Sequence, residues 1–470
     1  MRGIARIFLI DGIRRGRVNM ILAILDMGLI FFGYVTTIWF YQVFSIPLEG
    51  ESINPFWLLA PSAAAFIFFR FFDLYKDLRR NNIQTQLYSI VLPMILFSGF
   101  ISILSFLGTL NIYRKSFFIE ALFIQIILLA AVHAGIWYLA NTLHGRKKVI
   151  IICDDQNTGQ SLAQKFLNHK WFEISGFLPL TQIKDLENHV NKFDVFLLAP
   201  TVIGQKKNDI ISLCIKNGKE ILTVPQVSEL FVQTAKTQQV DDMLVFSINP
   251  AGLNLWQRIN KRVFDVIISL LMLALTSPVF LILLMLIPLT SKGPAIYKQE
   301  RIGLNGKPYW IYKFRSMIQD AEKMTGPVLA AKKDTRITAI GRFIRAVRLD
   351  ELPQLLNVIK GEMSLIGPRP EREYFISQFK EEFPDYSHRL TVKPGITGLA
   401  QVLSYYSTTV DDKLRFDLLY VRNYTFSLDL KILFQTFQVI LQRDRAQGLL
   451  ENNKYVQQNL KNARTIKDIS

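Results

Sequence analysis

Four long apolar stretches fill the first third of this chain, at about Met20–Phe44, Pro55–Phe72, Leu87–Leu110 and Phe117–Leu143. Each is close to the roughly 20 residues needed to cross a bilayer core. Lipid offers no hydrogen bonds to a bare backbone, so runs of this kind must be helical. The remaining sequence agrees with a membrane home: half of the residues are hydrophobic and 35 are Phe. No signal-peptide cleavage pattern follows the first run, so the four are expected to be permanent anchors.

Loop charges set the expected orientation. Arg2, Arg6, Arg14, Arg15 and Arg17 precede the first run, whereas the first loop carries Glu49 and Glu51. Arg70, Lys76, Arg79 and Arg80 mark the second loop, and Arg146, Lys147 and Lys148 follow the fourth run. Arg114 and Lys115 in the third loop are the awkward case. The positive-inside rule then puts both ends of the block in the cytoplasm. Asp26, inside the first run, is expected to face protein rather than lipid. The net charge of +17 suits an anionic membrane surface and phosphorylated substrates rather than nucleic acid. Cys153 and Cys214 lie in apolar runs with no metal-type spacing and read as buried free thiols.

Between about 146 and 250 the pattern changes. Short apolar runs at Val149–Cys153, Ile174–Leu178, Val195–Ala199 and Glu220–Val224 alternate with helical segments at Gln160–Asn168 and Asp209–Asn217. That order predicts a parallel sheet with helices on its faces, a degenerate Rossmann-like domain. The first turn, Cys153-Asp154-Asp155-Gln156-Asn157-Thr158-Gly159, keeps a single glycine. Two carboxylates there would repel a pyrophosphate, which favours a structural or regulatory spacer over a nucleotide site.

A fifth apolar run, 261–290, opens with Lys261, Arg262 and Asp265 and carries Ser277-Pro278 near its middle. Proline removes an N–H and breaks or kinks a helix. A span here would also put the basic C-terminal region outside. The expectation is a helix-break-helix at Ser277 and Pro278 that dips into one leaflet and returns, with a kinked span as the alternative.

The chemistry concentrates beyond this run. Asp350-Glu351 follows Arg345 and Arg348 and precedes Pro353. Proline belongs in a first helical turn, so the pair is expected at a helix N-terminus, where the dipole favours ionised carboxylates. An ionised Asp can attack phosphorus. Around it stand Gly293–Gly303, Tyr309–Met317 with Lys313 and Arg315, Gly361–Glu371 with Arg369 between Pro368 and Pro370, and Val392–Gln401 with Gly395 and Gly398. Arg345 and Arg369 fit two-pronged phosphate clamps. Lys313 and Arg315 alternate as on one strand face, as phosphate ligands or an ordinary solvated face. Arg348 and Asp417 are weaker candidates, and His388 reads as a surface residue. Phe343, Ile344, Val347 and Leu349 interleave with Arg342, Arg345 and Arg348 as in an interfacial amphipathic helix.

These five ordered motifs resemble those of the bacterial sugar transferases, the monotopic polyprenyl-phosphate hexose-1-phosphate transferases. The whole layout is similar to that of the large undecaprenyl-phosphate glucose or galactose phosphotransferases. The resemblance is specific over Lys261–Leu433 and architectural before it. It implies three domains: four spans over 1–145, the Rossmann-like domain over 146–250, and a mainly helical, α+β catalytic domain over 256–470. It implies transfer of hexose-1-phosphate from a UDP-hexose to undecaprenyl phosphate with release of UMP. This would be the first membrane step of exopolysaccharide, capsule or O-antigen assembly, at the cytoplasmic face of a bacterial inner membrane. By the resemblance Asp350 is the nucleophile that carries a phosphosugar intermediate, and Glu351 helps to bind Mg²⁺. Four spans and a spacer domain suit a homodimer. Two other readings stay open: a lipid-linked glycosyltransferase that releases UDP, and a non-catalytic scaffold for polysaccharide assembly.

Overall fold

The computed structural model describes residues 13–45, 55–75, 83–106, 117–143, 145–167, 171–318, 336–405, 408–441 and 464–465. The loop charges Glu49, Glu51, Lys76, Arg79, Arg80, Arg114 and Lys115 lie outside them, as do Arg2 and Arg6. The chain divides into two compact units, residues 1–224 with 452–470, and residues 225–451. The first unit thus ends at Val224, and the second begins at Pro225. The short helix at Val227–Gln233 explains why: Val227 and Leu230 pack with Ile376, Leu414 and Leu418 of the C-terminal region.

The first unit opens with helices α1 (Ile13–Val43), α2 (Leu59–Phe71), α3 (Ile83–Phe106) and α4 (Phe117–Leu143). Three contain stretches long and apolar enough to cross a membrane: Val18–Val43, Ile83–Phe106 and Phe117–Thr142. The second expected span is shorter, an apolar helix over Phe56–Phe71. At 1.5 Å per residue that is about 24 Å, less than the ~30 Å hydrocarbon core, so this helix is shorter than the expected span. Asp26 faces protein as expected: it is fully buried, and His133 Nε2 lies 2.9 Å from its Oδ1. Gln125 donates to the carbonyl of Ile30 at 3.0 Å, a second polar tie between α1 and α4.

The same unit holds a parallel sheet of strands β1 (Lys147–Cys153), β2 (Phe172–Pro179), β3 (Val195–Leu198) and β4 (Glu220–Thr223). Its order is β2-β1-β3-β4, and Arg464–Thr465 adds a short parallel strand outside β2. Val149–Cys153 are buried in continuous sequence, the mark of a strand covered on both faces. Helix α5 (Gln156–Leu167) packs closely on this sheet. A Cβ at Gly159 would sit 2.8 Å from Cys153 Sγ and 2.8 Å from the Phe177 ring, so only glycine lets the helix approach. Cys153 and Cys214 are free and buried.

In the second unit, helix α6 (Leu255–Thr290) is capped by Asn254, which accepts the N–H of Gln257 at 2.8 Å. Here the structure corrects the expected break: α6 runs unbroken through Ser277 and Pro278. The proline strands the carbonyl of Ala274, four residues back. Ser277 Oγ donates to that carbonyl at 2.8 Å, and Thr276 Oγ1 donates to Met272 O at 2.7 Å. The Ser277 hydroxyl thus replaces the lost bond. One stripe of α6 is buried along the helix, from Lys261, Asp265 and Ser269 to Leu283 and Ile287. Lys261 donates to Asp429 at 2.6 Å, and the Leu365 N–H donates to Asp265 at 3.1 Å. Leu283 and Ile287 pack with Phe314 and Ile344. The other face leaves Leu271, Leu275, Ile282, Met285 and Leu289 exposed.

The rest of this unit carries the hairpin β5 (Ile296–Ile302) and β6 (Pro308–Phe314), the short helices α7 (Ala339–Ala346) and α8 (Gln354–Lys360), the pair β7 (Ser364–Ile366) and β8 (Gly395–Thr397), and helices α9 (Val410–Arg422) and α10 (Phe426–Leu441). Ile344 is buried while Phe343 is 63% exposed, so the expected amphipathic segment splits into a core face and a free face. His388 lies at the surface as expected, 3.6 Å from Asp385.

Candidate active site

The carboxylate pair occupies a tight turn rather than a helix proper. Arg348 takes a left-handed backbone (φ 60°, ψ 17°), Leu349–Glu351 form one 3₁₀ turn, and α8 begins after Pro353. Left-handed backbone is unfavourable for a residue with a Cβ and collects at functional turns. It lets the chain reverse from α7 into the pair. Two fixtures hold the turn. Gly341 in α7 presses on the backbone after β6, where a Cβ would lie 1.9 Å from Ser316 O. Asn357 in α8 accepts the Tyr312 N–H at 3.0 Å and donates to Trp310 O at 2.7 Å, tying α8 to β6.

The two carboxylates have opposite surroundings. Glu351 is buried, and its Oε1 meets Arg369 Nη2 at 3.1 Å, Arg348 Nη1 at 3.7 Å and Lys313 Nζ at 3.9 Å. Burial opposes its ionisation, but Arg369, Lys313 and Arg348 together outweigh burial and hold it at about 2. Asp350 is half-buried, and its Oδ1 is enclosed without a hydrogen-bond partner. Burial, then the charge of Glu351, pushes Asp350 up to about 6. Burial also draws Lys313 down to about 8, against the pull of Glu351. One acid is locked and charged. Its neighbour has an unengaged oxygen and is poised just below neutrality, which is the separation of roles that group-transfer sites use.

Of the expected residues, Asp350, Glu351, Lys313 and Arg369 converge, and Arg345 lies close enough to ease ionisation of Asp350. Arg348, a weaker candidate, joins them. Arg315 does not. Strand β6 ends at Phe314, so the alternation that would align Arg315 with Lys313 stops there. Its guanidinium instead donates to Lys292 O, Ser291 O and Ser291 Oγ at 2.6, 2.7 and 2.9 Å, capping the exit from α6. Two further arginines lie outside the expected set, and one of them engages the weaker candidate Asp417. Arg301 reaches Pro370 O at 3.1 Å and Glu371 at 3.3 Å. Arg389 makes a buried pair with Asp417 at 2.7 Å. Breaking a pair of that kind costs about 3–5 kcal/mol. Nothing in a single sequence distinguishes these arginines from solvated ones.

Mg²⁺ is the ion that the carboxylate pair would have to hold. Among the described residues no group of three or more His, Cys, Asp or Glu could cage a metal. Mg²⁺, however, commonly takes one or two carboxylates with substrate phosphates and waters filling its shell. The unpartnered Asp350 oxygen beside Glu351 fits that mode.

Residues 256–443 match the family described as bacterial sugar transferase. The chain is 33% identical over 314 residues to the UDP-glucose:undecaprenyl-phosphate glucose-1-phosphate transferase of Klebsiella pneumoniae, covering 62% of this chain and 67% of that protein. It is 39% identical over 221 residues to the UDP-N-acetylgalactosamine-undecaprenyl-phosphate N-acetylgalactosaminephosphotransferase of Aeromonas hydrophila, covering 46% and 51%. It is 42% identical over 204 residues to the undecaprenyl-phosphate galactose phosphotransferase of Salmonella typhimurium, covering 40% and 42%. The matched region contains α6, the hairpin and both carboxylates, and on this footing the chain belongs to the bacterial sugar transferase family.

Proposed function

We propose that this protein transfers a hexose-1-phosphate from a UDP-hexose to undecaprenyl phosphate. The observation that carries the reading is the unengaged Oδ1 of Asp350 beside a carboxylate held by three cations. In the first step an Asp350 oxygen bonds to the sugar-bearing phosphorus. The bridging P–O bond breaks, and UMP leaves with the bridging oxygen. In the second step a phosphate oxygen of the lipid attacks the same phosphorus, the acyl phosphate bond breaks, and Asp350 is regenerated. Transfer of this type needs alignment and charge neutralisation more than proton movement. Arg369, Lys313 and Arg345 supply positive charge for the phosphates. Glu351, with the Asp350 oxygen beside it, would hold Mg²⁺, which when bound would supply neutralising charge for the leaving group.

The position of α6 supports a membrane-surface reading. Residues near both of its ends pack on the unit that carries Asp350, and its free face is apolar. We read α6 as embedded in the cytoplasmic leaflet without crossing it, which brings Asp350 to headgroup depth. The parallel sheet of the first unit is read as a Rossmann-like spacer, and the assembled enzyme as a homodimer in a bacterial inner membrane.

The test uses purified full-length protein with a panel of UDP-sugars, undecaprenyl phosphate and Mg²⁺. UMP release is expected, together with a radiolabelled sugar phosphate trapped on wild-type protein but not on Asp350→Asn. Release of UDP would mean sugar transfer alone and would overturn the reading.

A further inference from the structure

The segment Gly367–Glu371, which presents Arg369, is tied at five successive backbone positions. The Gly367 N–H donates to Thr397 O at 2.9 Å, and Pro368 O accepts from the Gly395 N–H at 2.9 Å. Arg369 O accepts from Arg389 Nη2 at 2.7 Å, and Pro370 O accepts from Arg301 Nη1 at 3.1 Å. Glu371 O accepts from the Ile302 N–H at 3.1 Å. Three of these ties are backbone to backbone and follow from the pairing of neighbouring chain segments. The tie at Arg369 itself comes from a side chain.

Proline at 370 already restricts the residue before it to extended conformations. Within that range Arg389 takes hold of the Arg369 carbonyl and fixes where it points. Four of the five Arg389 N–H groups are engaged within the protein. Its Nε and Nη2 donate to Asp417 Oδ2 at 2.9 and 2.7 Å, and its Nη1 donates to the Tyr386 hydroxyl at 2.9 Å. Arg389 and Asp417 are 5% and 4% exposed, so neither meets a ligand directly. Arg369, by contrast, is half-exposed and reaches Glu351.

We infer that Arg389, locked by Asp417 on α9, is a positioning residue that fixes the backbone of Arg369 and so aims its guanidinium at the donor diphosphate. This rests on the transfer reading above. It makes Asp417 act on the reaction only through Arg389 and Arg369.

A double-mutant cycle tests it, because groups that act through one another give non-additive losses. Full-length Asp417→Asn, Arg369→Ala and the double variant are compared by UMP release at varied UDP-sugar. Asp417→Asn is expected to lower kcat/KM by about ten- to a hundredfold, the scale of a small misplacement of a reacting group. In the Arg369→Ala background the same change is expected to cost less than about threefold. Losses that multiply would overturn the inference, as would full activity in Asp417→Asn. If Asp417→Asn does not fold, Arg389→Lys keeps the charge opposite Asp417 while withdrawing the contact to Arg369. It is expected to lose activity only where Arg369 is present, and a multiplicative loss again overturns the inference. Wild-type release of UDP would sink the transfer reading instead, so the two failures are distinct.

Discussion

Two pairs of adjacent carboxylates precede helices in this chain, Asp154-Asp155 before α5 and Asp350-Glu351 before α8, and they have opposite fates. Asp155 lies at the surface, and its Oδ2 accepts the Thr158 N–H at 3.1 Å. That is an ordinary helix cap, and the bonds to Thr158 hold its carboxyl below the usual range. The chain's own carboxylate thus occupies the place where an incoming phosphate would seek the helix start. Asp350 caps nothing. Its turn has been pulled inward, beside a neighbour claimed by Arg369, Arg348 and Lys313. Two adjacent acidic residues therefore yield a cap in one region and an enclosed, unpartnered oxygen in the other. The deciding factor is which distant segments close over it.

Substitutions can break that contrast. The largest effect is expected from Asp350→Asn, which should reduce UMP release by more than about a thousandfold, as removal of a nucleophile does elsewhere. Retained activity would erase the distinction between the two pairs. Next comes Glu351→Gln, expected to cost about a hundredfold and to weaken the Mg²⁺ dependence. The same variant sharpens the pH comparison. Protonated Asp350 cannot attack phosphorus, so wild-type kcat/KM should fall as pH drops through about 6. The Glu351 charge is part of what raises that value, so its removal should move the acid limb to lower pH; an unmoved or raised limb would contradict the coupling. The smallest effect belongs to Asp155→Ala. It should lower the unfolding temperature slightly by uncapping α5 and leave transfer untouched.

Much of this was legible because it rests on local pattern. Apolar length gave the long helices, alternation gave the parallel sheet, and Pro353 marked the start of α8. The reactive pair stood out through its company of motifs. Legibility failed where a side chain's partner lies far away in sequence. Lys313 and Arg315 look alike as letters, yet one reaches Glu351 and the other caps α6, because the strand ends between them. Arg389 gains its meaning from the carbonyl of a residue 20 positions away. Pro278 suggests a break by itself, but the Ser277 hydroxyl takes over the carbonyl it leaves open. The α2 helix fell short of its apolar run because it starts only after a 3₁₀ turn at Pro55–Leu58.

The backbone at Arg348 sets durability against turnover. Glycine would relax that twist at no steric cost, yet it would strip away one of the cations that pin Glu351. Breeding this enzyme for heat resistance alone would reward the swap and quietly hand back a sturdier, slower catalyst. Keeping arginine at 348 holds the backbone in an unfavourable twist and keeps a positive charge beside Glu351.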